Sequence, residues 1–183
     1  MWSIGLFYGS TDGNTARVAR LIQAAFAQRG GAVVELFDIA DYYLAEMLAF
    51  DRLILGVPTW NVGQLQADWE AVLDEFDELD LAGRHIALFG LGDQRGYPDT
   101  FVDALFFVAD KVQSRGAQLS GRWPTDGYTF RSSWATVDDH FVGLVLDEHN
   151  QPELTGPRVE AWVQQLRSEW AIDPSPPVAD PQT

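Results

Sequence analysis

Within residues 10–15, four side chains could donate hydrogen bonds to a phosphate: Ser10, Thr11, Asn14 and Thr15, with Gly9 just before them and Gly13 in their midst. An apolar run at residues 3–8 precedes them, and a segment with helical spacing follows. Their amides would therefore lie at a helix N-terminus, where unpaired N–H groups and the helix dipole favour an anion. An ordinary β–α turn with an Asp-Gly corner suits the same residues. A nucleotide-triphosphate P-loop does not, because Asn14 follows Gly13 where that loop needs its lysine. Asp12 opposes the anion. A carboxylate ~4 Å from a phosphate charge costs about 4 kcal/mol per charge pair at an effective dielectric near 20. The expectation is that Asp12 turns away and caps the turn through its own backbone, leaving the amides to the anion.

Two further loops carry aromatic rings. In "GVPTWNVGQLQADWE", Pro58 and Thr59 end an apolar run, and Trp60 then stands in a polar turn with Asn61, Val62 and Gly63. In "GLGDQRGYPDTF", Leu91, Gly92, Asp93, Gln94 and Gly96 lead to Tyr97. Taken singly, Trp60 suits a lid on the core and Tyr97 a ring packed on the domain. Brought to one edge with the first loop, the three describe a holder for a flat ring system with a phosphate tail.

The elements that would bring them together are legible as alternating patterns. Apolar runs of strand length fall at residues 3–8, 32–37, 53–57, 85–91 and 141–146, with a broken run after Gln118. Between them, helical spacing recurs at Val18, Leu21, Ile22, Ala25 and Phe26, and again at Trp69, Val72, Leu73 and Phe76. It returns at Phe101, Leu105, Val108 and Val112, and at Val159, Trp162, Val163 and Leu166, with a shorter helix expected over 41–49. Near-continuous hydrophobicity marks strands covered on both faces. The alternation predicts an α/β fold with a doubly wound five-stranded parallel sheet, which binds ligands at the carboxyl ends of its strands. Residues 120–140 interrupt the rhythm before the last strand. One domain over 1–172 is expected, with the proline-rich tail from Asp173 disordered.

Charge and composition narrow the function. The net charge of −15 argues against a nucleic-acid backbone as partner, since such binding needs a basic face, and suits either positively charged protein partners or solubility alone. The absence of cysteine removes disulfides, thiolate metal sites and thiol nucleophiles. His85, His140 and His149 have no metal-ligand spacing, so no metal is expected. No run reaches the ~20 apolar residues of a membrane span, and "MWSIGLFYGS" has no signal-peptide pattern. A cytoplasmic monomer without a membrane partner is the expectation.

The ordered segments resemble those of the flavodoxins, specifically the long-chain branch, from about Ile4 to Trp170. "GLFYGSTDGNT" is similar to the family's phosphate loop, and the Trp60 and Tyr97 loops to its two isoalloxazine loops. "GRWPTDGYTFRSS" with "FVGLVLDEHNQ" resembles the insertion that interrupts the final strand of long-chain members. The resemblance implies a flavodoxin-like fold, noncovalently bound FMN, and a low-potential one-electron carrier serving a flavodoxin reductase and acceptor proteins with basic docking faces. It places Ser10, Thr11, Asp12, Gly13, Asn14 and Thr15 on the phosphate, and Trp60 and Tyr97 on the two ring faces. Pro58, Thr59, Asn61, Val62 and Gly63 would meet one ring edge, and Leu91, Gly92, Asp93, Gln94 and Gly96 the other, with Asp147 on the ribityl chain. The usual residue at Asp12 is Thr, so weaker FMN binding is expected here. The family also turns over one peptide to stabilise the half-reduced flavin, here Asn61–Val62, and a β-branched Val62 resists the angle required.

Other readings are separable. An FMN-dependent quinone or small-molecule reductase on the same fold would need an open ring face. A phosphoacceptor receiver domain needs an aspartate where Pro58 and Thr59 stand. The run from Asp68 to Asp80, with seven carboxylates and no cation, suits a solvated helix face or a docking surface.

Overall fold

The computed structural model describes residues 1–173. The chain runs β1 (Trp2–Tyr8), α1 (Asn14–Arg29), β2 (Ala32–Asp38), β3 (Arg52–Trp60), β4 (Gln64–Leu65), α2 (Ala67–Val72) and β5 (His85–Leu91). It continues through α3 (Ala104–Ser114), β6 (Gln118–Ser120), β7 (Trp123–Pro124), β8 (Thr136–Val137), β9 (His140–Phe141), β10 (Leu144–Leu146) and α4 (Thr155–Glu169). Parallel pairing orders the main sheet β2-β1-β3-β5. The far edge of β5 is filled twice: β6 pairs with residues 85–87 and β10 with residues 89–91. They are two halves of one fifth strand. Residues 121–143 interrupt it and fold as a small antiparallel sheet, β7-β9-β8.

Alternation along each strand makes two cores. Ile4, Leu6, Ile54 and Phe89 point to α1 and α4, where Ile22, Phe26, Trp162 and Leu166 meet them. Phe7, Leu55 and Leu88 point the other way, to Trp69, Phe76 and Leu105. Both faces are dry, which is why the strands read as unbroken apolar runs. The chain leaves β1 outward to β2 and returns on its other side to β3. That reversal opens a crevice at the carboxyl ends of β1 and β3.

Several boundaries differ from the sequence pattern. The helix expected over 41–49 is a 3₁₀ segment, Leu44–Ala49. The α2 helix stops at Val72 and tightens into a 3₁₀ segment, Leu73–Glu78, where four carboxylates crowd a helix end whose dipole opposes them. The α3 helix begins at Ala104 rather than Phe101, because Val102 is left-handed (φ 52°). Residues 98–101 instead dock the insertion: Arg131 and Ser132 donate their amides to the Pro98 carbonyl, and Phe101 donates to that of Ser132. The tail expected to be disordered lies, beyond Asp173, outside the described residues.

Candidate functional site

The loops after β1, β3, β5 and β10 enclose a cleft of about 390 Å³. Its walls carry Ser10, Thr11, Asp12, Asn14 and Thr15, then Pro58, Thr59, Trp60 and Asn61, then Leu91, Gly92, Asp93 and Tyr97. Glu148 and His149 complete the rim. Thus three loops separated in the chain do meet. Gly13, Val62, Gly63, Gln94, Gly96 and Asp147 lie off the wall.

The end nearest α1 is built for an anion. Gly13 takes the left-handed corner before the helix (φ 84°), and no side chain caps it. Among the described residues, the amides of residues 12–15 find no carbonyl partner. Ser10 Oγ accepts from the Ala16 amide at 3.4 Å, and Thr11 Oγ1 accepts from Gln66 Nε2 at 3.2 Å. Both hydroxyls therefore keep a proton to donate into the cleft. Gln66 is buried beneath this loop and explains Gly9: a Cβ there would lie 2.3 Å from Gln66 Oε1 and 2.8 Å from the Trp69 ring. Asp12 does not cap the turn as expected. Its carboxylate is exposed on the wall and accepts no hydrogen bond among the described residues, because Gly13 makes the corner unaided and water solvates the charge.

The opposite end is assembled from remote pieces. Trp60 is not in a turn: it ends β3, paired with Gln64 of β4, and is half-buried. The hairpin loop is residues 61–63, with Asn61 (φ 45°) and Gly63 (φ 79°) left-handed and Val62 exposed. Gly63 rests on α3's start, where a Cβ would come within 3.2 Å of Thr100 and Asp103. Thr59 Oγ1 accepts the Ala104 amide at 3.2 Å, and Asp103 Oδ1 accepts the Trp134 amide at 2.7 Å. Burial pushes the Asp103 carboxyl up in pKa, and the Trp134 amide partly offsets it.

The Tyr97 loop is braced from behind. Burial would raise the Asp93 carboxyl, but hydrogen bonds from the Gly96 amide, the Asn150 side chain and the Arg95 amide outweigh it and leave the pKa lowered. Gln94 turns inward, donating its amide and its Nε2 to Asp147 Oδ2 at 3.1 and 2.8 Å and accepting from the Thr129 amide. Asp147 is fully buried and also accepts from the His149 and Asn150 amides. It stands behind the wall as the knot between two loops, whereas its neighbours Glu148 and His149 face the cleft. Those two escaped the sequence reading; applying the strand-end rule to the fifth strand, as to the other three, would have found them. Tyr97 is 42% exposed, so the cleft is open to solvent at this end.

The insertion is pinned by Tyr128. Its hydroxyl donates to the Val145 carbonyl at 2.5 Å and accepts from Trp123 Nε1 at 3.0 Å, with the Arg158 guanidinium 4.1 Å above the ring. Burial drives this phenol up to about 12, against smaller opposing effects of Arg158 and Trp123.

Known proteins are similar to this chain in sequence and in fold. The family model described as Flavodoxin matches residues 6–162. A flavodoxin of Picosynechococcus sp. is 50% identical over 172 residues, covering 94% of this chain and all of that one. Flavodoxin 1 of Escherichia coli is 45% identical over 170 residues, covering 92% and 95%. The crystal structure of Fusobacterium nucleatum flavodoxin bound to flavin mononucleotide superposes with a TM-score of 0.86 at 30% identity, over 92% of this chain and 99% of that one. With sequence identity, fold and near-complete coverage in agreement, the chain belongs to the flavodoxin family.

Proposed function

We propose that the protein binds FMN noncovalently in this cleft and carries single electrons from a reductase to acceptor proteins. The observation that carries the reading is the polarity of the cleft: unpaired amides and proton-bearing hydroxyls at one end, aromatic side chains at the other. A phosphate fits the first and a flat heteroaromatic ring the second. When bound, FMN supplies the redox chemistry, accepting and releasing one electron at a time.

The protein's residues do the rest. Ser10, Thr11, Asn14, Thr15 and the amides of the α1 N-terminus anchor the phosphate. Trp60 and Tyr97 cover the ring faces and exclude water from them. Pro58–Asn61 and Leu91–Asp93 present backbone at the ring edges, and α3 and Asp147 hold those segments in register. The chain's excess of carboxylates disfavours added negative charge in the cleft. For a one-electron couple, ~1.4 kcal/mol of such destabilisation lowers the potential by about 59 mV, so a low potential follows from electrostatics.

Tyr97's exposure leaves the ring end within reach of a docked protein. Such partners would present basic faces to a chain of net charge −15. Lys111 neutralises part of the acidic run, bonding Asp77 at 2.8 Å and facing Asp74 at 3.6 Å. The other carboxylates of that run remain for steering. Among the described residues, no helix is long and apolar enough to cross a membrane, and a cytoplasmic monomer suits the role. Titrating flavin-free protein with FMN tests the proposal: quenching of flavin fluorescence at one equivalent is expected. No quenching at micromolar concentration would overturn it.

A further inference from the structure

The anion-binding end of the cleft contains a charge conflict. Asp12 and Glu148 both line the cleft, and among the described residues no lysine or arginine lines it. One cation reaches it indirectly: Arg17, one turn into α1, pairs with Glu148. Glu148 is held from its other side by the Thr155 hydroxyl at the start of α4. Its side chain is 15% exposed and that of Arg17 45%, so the carboxylate sits within the rim and the guanidinium on the solvent side. Arg17 is thus placed to cancel a charge facing the cleft without entering it.

We infer that Arg17, by neutralising Glu148, is the specificity-determining residue that lets this cleft accept a phosphomonoester and so favours FMN over dephosphorylated riboflavin. The inference rests on the FMN reading above. With the pair intact, a phosphate meets one uncompensated carboxylate, Asp12; without Arg17 it meets two. The flavin ring carries no charge to feel the difference, so the effect should fall on the phosphate alone. A partly screened charge of this kind is worth about tenfold in affinity.

The test compares FMN and riboflavin binding, by fluorescence quenching, in the parent, Arg17→Gln, Glu148→Gln and the double variant. Arg17→Gln should weaken FMN roughly tenfold, and the loss should shrink as salt rises. Riboflavin affinity should stay unchanged. Adding Glu148→Gln to Arg17→Gln should restore FMN, because the charge needing compensation is gone. Unchanged FMN affinity in Arg17→Gln overturns the inference, as does equal loss of both ligands, which would mark a structural role. Failure of Glu148→Gln to restore FMN also overturns it, since Arg17 would then act on the phosphate directly. A parent that binds neither ligand sinks the FMN reading itself, a result distinct from each of these.

Discussion

The two ends of the cleft are made in different ways. The anion end comes chiefly from consecutive residues at one strand–helix junction, with Gln66 as a remote brace and Glu148 on its rim. The ring end comes from β3 and from the loop after β5, braced by Asp147 and Asn150, and is aligned by contacts that are distant in sequence. Thr59 hangs on the Ala104 amide, Gly63 rests on Asp103, Asp103 holds Trp134, and Gln94 joins Asp147 to Thr129. A junction held by its own backbone tolerates change elsewhere. One assembled from loops inherits the stability of everything behind it. Phosphate affinity should therefore report local changes and ring-end properties remote ones.

The change expected to break the anion end most severely is Gly9→Ala. The added methyl collides with Gln66 and with the Trp69 ring, both buried, and such overpacking costs about 3 kcal/mol. Urea unfolding should show the loss, and FMN affinity should fall more than riboflavin affinity because Thr11 loses its brace.

Tyr128→Phe probes the ring end from the far side of the insertion. It leaves the Val145 carbonyl and Trp123 Nε1 without their partner, at a cost of about 2 kcal/mol in urea unfolding. The difference should depend on pH. The unfolded phenol ionises near 10, whereas the folded one keeps its proton to about 12. A raised acid pKa contributes stability that is full below pH 10 and lost as pH rises through 12. The gap between parent and variant should narrow across that window. A constant gap would show that burial does not raise the folded phenol's pKa.

Asp12→Thr removes the solvated carboxylate from the wall and adds a hydroxyl donor. FMN should bind about tenfold more tightly, equivalent to ~1.4 kcal/mol, with riboflavin unchanged. Equal FMN affinities would show that water screens Asp12 completely.

The smallest effect is expected from Val62→Gly. Val62 sits between two left-handed residues, Asn61 and Gly63, without being left-handed itself. Turning over the Asn61–Val62 peptide asks a β-branched residue for that conformation, at a cost of about 1 kcal/mol. Glycine should shift each one-electron potential by about 40 mV in opposite directions, widening their separation by about 80 mV in a redox titration. No widening would show that the hairpin does not impose this restraint.

Much of this was legible beforehand. The five apolar runs, the helices with 3.6-residue spacing and the three loops at one sheet edge were all readable, and so was the interruption of the last strand. The misreadings share a cause. Trp60 looked like a turn residue but extends β3, because Gln64 returns to pair with it. Phe101 fits the helical spacing of α3, yet its amide donates to the Ser132 carbonyl of the insertion and Val102 after it is left-handed. Asp12 was expected to cap a turn that Gly13 closes without it. Asp147, expected at the ribityl chain, is braced from inside by Gln94 and Asn150, contacts that no local pattern announces.

By itself, the sequence determined the order of strands and helices, which faces are apolar, and the one site whose donors are neighbours along the chain. These follow from short-range periodicity and local backbone preference, which act over a few residues. Tertiary structure alone decided where Trp60 leaves its strand, which acids face the cleft and which brace it, and how Arg17 meets Glu148. Those outcomes depend on pairings between residues as far as 131 positions apart, which exist only once the sheet has closed and water has been excluded between them.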